Sequence, residues 1–176
     1  MIVATLDLEN PDHLQLVKGK WRYAGGLVPG EPNGGLADQL KQSPARLADY
    51  DDTGWMVCEN IQASVSEGFC FGWYRIGVTL PERVGNADIR GTQVWFTTCV
   101  DDYGEIWING ECDIAIGNTG RGAISGHNAP QRVSVCENAL PGERHIIACL
   151  AVNGPIACPG GGIFLRYAKL EFGRTD

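Results

Sequence analysis

Gly68-Phe69-Cys70-Phe71-Gly72-Trp73-Tyr74-Arg75-Ile76-Gly77-Val78-Thr79-Leu80 is the stretch that decides the fold class. Tyr74, Ile76, Val78 and Leu80 fall on one face and Trp73, Arg75 and Thr79 on the other, the period of two that defines a strand. Pro81 stops the pattern. Working outward, Thr92–Asp101 turns Val94, Phe96, Thr98 and Val100 inward in the same rhythm. Glu105–Asn109 follows a tight turn at Asp101-Asp102-Tyr103-Gly104, and Asn109-Gly110 is a two-residue hairpin signal ahead of Glu111–Ile116. Arg132–Cys136, Arg144–Val152 and Ile163–Phe172 complete the set, the last two separated by Gly160-Gly161-Gly162.

An opening strand around Lys20–Ala24 and a weaker one near Trp55 bring the expectation to about eight to nine short strands. Helical periodicity is confined to Leu36–Gln42, inside a loop-rich stretch opened by Val28-Pro29-Gly30. Two sheets that each bury one apolar face satisfy this pattern most economically, so the fold class is all-β, an antiparallel β-sandwich. No composition break or internal repeat divides the chain, and residues 1–176 read as one sandwich domain with a long loop excursion at 24–50. An excursion of that length is either functional or packed over the sandwich.

Composition sets the outer limits. The 176 residues include 24 Gly and 9 Pro, well above the usual share of about 12%, which favours turns and short strands over helix bundles. Lys plus Arg is 14 against 21 Asp plus Glu, a net charge of −7. With no cationic cluster to face a phosphate backbone, nucleic acid is excluded as a partner. The start of the chain has no basic region ahead of an apolar run, and no apolar run approaches the ~20 residues a membrane span needs. Seven cysteines (58, 70, 99, 112, 136, 149, 158) form no C-x-x-C and mostly sit in apolar surroundings. They read as reduced, buried thiols, with disulfides or a reactive thiol as the other readings, and a cytoplasmic location is the expectation.

Several motifs then resemble a family. Leu16-x-x-Gly19-x-Trp21-Arg22-Tyr23, Asp49-Tyr50-Asp51-Asp52-Thr53-Gly54-Trp55, and Gly72-Trp73-Tyr74-Arg75 with Leu80-Pro81 are similar to the sugar-binding jelly-roll domain of family 2 glycoside hydrolases. Val100–Gly110, Leu140-Pro141-Gly142-Glu143, Ala151-Val152-Asn153 and Pro159–Ile163 continue in the same order, over roughly residues 14–172. The set also resembles the galactose-binding-like domains of β-galactosidases, β-glucuronidases and rhamnosidases, and the extra sandwich fused to some sugar-lactone lactonases. The resemblance implies a galactose-binding-like jelly roll and an accessory role. Family 2 enzymes carry their two catalytic carboxylates on a separate barrel, and these 176 residues leave nothing from which to build one. In those enzymes the loop after the Asn-Gly hairpin leans over the active site. Here that stretch is Gly117–Pro130, with Asn118, Thr119, Arg121, His127 and Asn128 available to meet a polyol.

Candidate chemistry falls on a small number of side chains. Asp101, Asp102 and Glu105 are the densest acidic group. They read as turn formers, as an acid/base set or as oxygen ligands for Ca²⁺, although no contiguous calcium loop is present. Asp49, Asp51 and Asp52 carry the same alternatives. Trp73, Trp95 and Trp107 lie opposite the aliphatic rows of their strands, as platforms for the C–H face of a sugar or as rings covered by the excursion or a second subunit. Arg75 reads as an ion-pair or cation–π partner of the sheet, and Asn109 as a hydroxyl contact. Of three histidines, His127 alone lies on a Gly-rich loop, and no H-x-H or H-x₃-H spacing supports a histidine metal site.

The expectation is a non-catalytic, accessory module that binds a carbohydrate or similar polyhydroxylated molecule. Trp73, Arg75, Asp101, Asp102, Glu105, Trp107, Asn109, Arg121, His127 and Asn128 are its candidate contacts, with no resident metal or cofactor beyond possible Ca²⁺. Two other classes stay open: a small stand-alone enzyme using Asp101, Asp102, Glu105 or His127, and a subunit completing the site of a partner hydrolase. A homodimer is compatible with each.

Overall fold

A computed structural model of the protein describes residues 1–32, 42–114, 122–155 and 157–174. It is an antiparallel β-sandwich. The chain opens with β1 (Ile2–Asp7), a short helix α1 (Pro11–Leu16) and β2 (Arg22–Gly25). A 3₁₀ turn at Pro44–Arg46 precedes β3 (Met56–Val57) and β4 (Cys70–Thr79). A small ribbon, β5 (Arg83–Val84) and β6 (Ala87–Asp88), leads to β7 (Gln93–Val100), β8 (Tyr103–Ile108) and β9 (Ile124–Ser125). β10 (Gln131–Cys136), β11 (Arg144–Asn153) and β12 (Leu165–Gly173) close the fold.

The strands form a four-stranded sheet, β1-β12-β7-β10, facing a six-stranded one, β3-β2-β4-β11-β8-β9. The alternation dictates what lies between them. Tyr74, Ile76 and Val78 of β4, with Ile147, Cys149 and Ala151 of β11, meet Val94, Phe96 and Val100 of β7 and Ala168, Leu170 and Phe172 of β12 in one buried cluster. Removing these side chains from water is the main force holding the sheets together.

A second, smaller core lies on the outer face of the six-stranded sheet. Ala45, Trp73, Ala148 and Leu150 are buried there, with Leu27, Trp55, Trp107 and Val152 packed around them. The central strands of this sheet are therefore covered on both faces, the outer one by residues from the 24–50 excursion and its continuation to Trp55.

The structure adds elements that the periodicity did not show. β1 pairs with β12 through Thr5 and Glu171, and α1 is a six-residue helix capped by Asn10, whose Oδ1 accepts from Asp12 N at 2.9 Å. The Asn10-Pro11 pair is an ordinary helix start, too brief to register as a period. Twelve strands appear among the described residues because β3, β5, β6 and β9 are each two residues long. The Asn109-Gly110 turn forms as expected, with φ of 51° and 86°. Its second arm does not extend among the described residues: Glu111 makes a single bridge to Ile108, and β9 takes the edge of β8 at Gly104 and Glu105. The helix expected at Leu36–Gln42 lies, except for Gln42, outside the described residues. Among the described residues no helix is long and apolar enough to cross a membrane.

Candidate functional site

At one end of the sandwich, the β7–β8 turn, the β9–β10 loop and the β11–β12 loop converge. The turn is so tight that Asp102 adopts a left-handed backbone, φ 60°, which Asp tolerates better than most side chains. That conformation aims its carboxylate across the end of the fold. Asp102 Oδ2 accepts from the Gly154 N–H at 2.6 Å, tying the turn to the β11–β12 loop. Asp102 Oδ1 lies 3.0 Å from His127 Nδ1, tying it to the β9–β10 loop. Asn128, also left-handed at φ 57°, brings its Nδ2 to within 2.6 Å of His127 Nε2. An ionised carboxylate only accepts, so the ring carries its hydrogen on Nδ1 and its Nε2 accepts from Asn128.

The array is open. The His127 side chain keeps 63% of its exposure and that of Asp102 20%. Asp101, behind it, is nearly buried and ion-paired, Oδ1 accepting from Arg166 Nη2 at 2.6 Å. This set presents a carboxylate, an imidazole and an amide to solvent on a framework fixed by backbone hydrogen bonds, a donor and acceptor pattern suited to hydroxyl groups.

The same residues bear on the calcium expectation. One ligand atom each from Asp101, Asp102 and His127 lies within 4.8 Å of the others. Calcium takes six to eight oxygen ligands, whereas this set offers an imidazole and has the Arg166 guanidinium on one carboxylate. The donors do not fit that ion.

The remaining candidates divide among other places. Trp73 is not a platform: it is 2% exposed, and its Nε1 donates to Leu27 O at 2.9 Å, because the excursion seals this face. Arg75 is 1% exposed and fully occupied. Its Nε donates to Asp52 Oδ2 at 2.9 Å, Nη1 to Ala45 O and Leu47 O, and Nη2 to Tyr50 O. Its ring neighbours are Tyr50 and Trp55, not Trp73. Glu105 leaves the acidic group: on the outer face of β8 it accepts from Tyr103 OH at 2.9 Å and Trp107 Nε1 at 3.2 Å, since alternation points it away from the end of the sandwich. Trp107 is half-buried beneath Arg46. Asn109 sits at the opposite end of β8, where it bridges His145 Nδ1 and Ile146 N. Arg121 lies outside the described residues. Trp95 belongs to the other sheet, with Arg132 stacked 4.0 Å from its ring centroid. Asp101, Asp102, His127 and Asn128 are thus the candidates that come together.

Sequence reasoning missed Gly154 and Arg166, which fix the array through a backbone N–H and a distant strand; neither position carries a local signal. It also missed an open groove of about 670 Å³ walled by Tyr50, Trp55 and Met56 at the edge of the six-stranded sheet. A second cleft of about 520 Å³ lies between β8 and β10, floored by Ile106, Ile108 and Val133.

No protein-family model and no curated protein matches the chain. Solved structures do. β-Glucuronidase 2 of Bacteroides uniformis, covalently bound to cyclophellitol-6-carboxylate aziridine, superposes with a TM-score of 0.60 at 17% identity, over 96% of this chain and 18% of that one. A glycosyl hydrolase family 2 member from Bacteroides cellulosilyticus gives 0.60 at 14% identity, over 97% of this chain and 20% of that one. A β-glucuronidase of Faecalibacterium prausnitzii gives 0.53 at 14%, over 96% and 31%. The chain spans about a fifth of the length of the first two. At these identities the likeness is one of fold: this chain has the architecture of a sandwich domain found within larger family 2 glycoside hydrolases.

Proposed function

We propose that the chain is a non-catalytic module that binds a carbohydrate or related polyol at the sandwich end formed by Asp102, His127 and Asn128. The observation that carries this reading is the open Asp102–His127–Asn128 array, fixed from behind by Gly154 N–H. A hydroxyl-rich ligand would replace solvent on the exposed imidazole and amide without moving the backbone. The arrangement favours binding over catalysis by the chain alone. His127 Nε2 faces the Asn128 amide, which gives up no proton, and the ring stands in solvent, so a ligand hydroxyl meets the imidazole and the amide as hydrogen-bonding partners. Calorimetry with a panel of sugars and sugar lactones tests the reading. Millimolar or tighter binding that is lost in His127→Ala supports it, and silence across the panel overturns it.

A second reading is favoured by the share of the larger enzymes that the chain spans, 18–20% for two of them. In it, the module completes a polyol site together with a separate catalytic chain. Co-purification of the intact protein with a hydrolase-sized partner separates this reading from stand-alone binding.

A further inference from the structure

The groove at the edge of the six-stranded sheet lies apart from the Asp102–His127–Asn128 array and is lined by different residues. Its walls are the rings of Tyr50 and Trp55, whose centroids are 5.5 Å apart with planes at 57°. Gly25, Gly30 and Gly54 line it without side chains, Met56 forms an exposed lip, and Asp51 and Thr53 stand at the mouth. Its volume of about 670 Å³ falls within the range of small-molecule sites, roughly 300–1,000 Å³.

The rings rest on a fixed base. The buried Arg75 guanidinium lies 5.6 Å from the Tyr50 ring centroid and 5.9 Å from that of Trp55, and it also holds the backbone there, Nη2 donating to Tyr50 O. From the neighbouring strand, Arg22 Nη1 donates to Thr53 O at 3.0 Å and Trp55 O at 3.3 Å. Asp52 joins the two guanidiniums, 2.9 Å from Arg75 and 3.6 Å from Arg22. Two cations therefore hold the segment 50–55 from beneath, and the ring pair is set before any ligand arrives, so binding loses little to ordering.

Rim chemistry narrows the ligand. Asp51 is exposed, and its Oδ1 accepts from Thr53 N at 2.9 Å and Thr53 Oγ1 at 2.6 Å. Those bonds hold its carboxyl below the usual carboxylate range. An acceptor of fixed negative charge welcomes hydroxyl donors and repels a carboxylate. The ring faces match a C–H surface, and the rim matches hydroxyls that surround it.

We propose that the Tyr50–Trp55 groove is a second saccharide site, selective for neutral pyranosides over uronates. It takes its ligand class from the function proposed above but not its location. Two-dimensional ¹H–¹⁵N spectra of the full chain, titrated to millimolar maltose, cellobiose, lactose and glucuronate, test it. A neutral disaccharide is expected to shift the Trp55 indole and the Gly54 and Gly25 amides, and glucuronate to leave them in place. Gly54→Tyr fills the groove, and its added Cβ meets no atom within 4 Å, so the variant is expected to fold. It should weaken groove binding by about tenfold or more, the loss of a ring contact, with an unchanged melting temperature. Trp55→Phe should retain part of the affinity. Shifts confined to His127 and Asn128 overturn the groove and leave the sandwich-end reading standing. Shifts confined to Gly54 and Trp55 uphold the groove and overturn the sandwich-end site. Silence at both overturns the shared ligand class, and equal response to glucuronate overturns the selectivity.

Discussion

Arg75 Nε donates to Asp52 Oδ2 at 2.9 Å on the outer face of the six-stranded sheet, joining the middle of the longest early strand to a turn 23 residues before it. With its other donors on the carbonyls of Ala45, Leu47 and Tyr50, this guanidinium is the polar centre of the second core. A planar fork can serve four acceptors at once; a lysine ammonium in the same place cannot. Arg75→Lys is expected to lower unfolding stability by about 3 kcal/mol despite keeping the charge, because it leaves buried carbonyls without partners and Asp52 with Arg22 alone. Urea denaturation measures it, and a midpoint within error of the native protein would refute the role given to Arg75.

The same residue shows how far the sequence could be read. Tyr74, Ile76 and Val78 were legible as the inner face because a buried sheet face imposes a period of two. Trp73 and Arg75, on the other face, had no such constraint. What covers them is a segment of turns and a 3₁₀ element at Pro44–Arg46, whose contacts come from carbonyls and obey no period. The Asp101-Asp102 turn and the Asn109-Gly110 hairpin were visible because tight turns demand those residue types. That Asp102 would meet His127, 25 residues later, was not, since the meeting depends on how three loops end in space. Glu105 looked like a neighbour of Asp102 by number, and alternation sends it elsewhere.

Gly104 of β8 packs directly against Val100 of β7 and Gln131 of β10 beside this site. A Cβ there would stand 2.6 Å from Val100 Cβ and 2.9 Å from Gln131 Oε1. Gly104→Ala is expected to cost about 2 kcal/mol through overpacking. Val100→Gly removes the Cβ and Cγ2 that stand nearest, at the cost of a cavity and a looser strand. The double variant should therefore be more stable than the sum of the two losses by about 1 kcal/mol or more. Strict additivity in a thermal-melting cycle would show that the contact is not the cause.

The thiols supply a test of the burial pattern. All seven cysteines are free; Cys158 is exposed, Cys112 and Cys136 are half-buried, and the other four are buried. Burial, with Glu105 and Asp113 nearby, pushes the Cys112 thiol up to about 11. Because the thiolate is the reactive form, an aromatic disulfide reagent at pH 8 should modify one thiol quickly, and Cys158→Ser should abolish that phase. Cys149 should react only on unfolding. Rapid modification of four or more thiols in the native protein would contradict the packing.

His145 gives the fold an acid-sensitive point at the end opposite the Asp102 array. It is 2% exposed, and its Nδ1 lies 3.1 Å from Asn109 Nδ2. Asn109 Oδ1 accepts from Ile146 N at 2.8 Å, which fixes the amide so that Nδ2 donates to the ring. Nδ1 therefore carries no hydrogen and Nε2 does, with Glu143 Oε2 at 3.6 Å. Burial holds the His145 pKa below the ordinary value of 6.5, and the Glu143 carboxylate opposes that shift only in part. The unfolded chain thus takes up this proton near pH 6.5, whereas the folded chain resists it to lower pH. Stability from this site is complete above about pH 6.5 and is lost as pH falls from there through the folded value. A proton on Nδ1 would also displace the Asn109 amide, the side chain that ties the Asn109-Gly110 turn to β11. Gly110 packs against the backbone of Arg46–Ala48, so the disturbance should reach the segment that covers Arg75. Glu143→Gln should steepen the acid loss by removing the opposing charge, and His145→Gln should flatten it between pH 7 and pH 5. Urea midpoints measured across that range decide the matter: a native protein whose stability is unchanged over it, or a His145→Gln profile parallel to the native one, would show that this imidazole is not the group responsible.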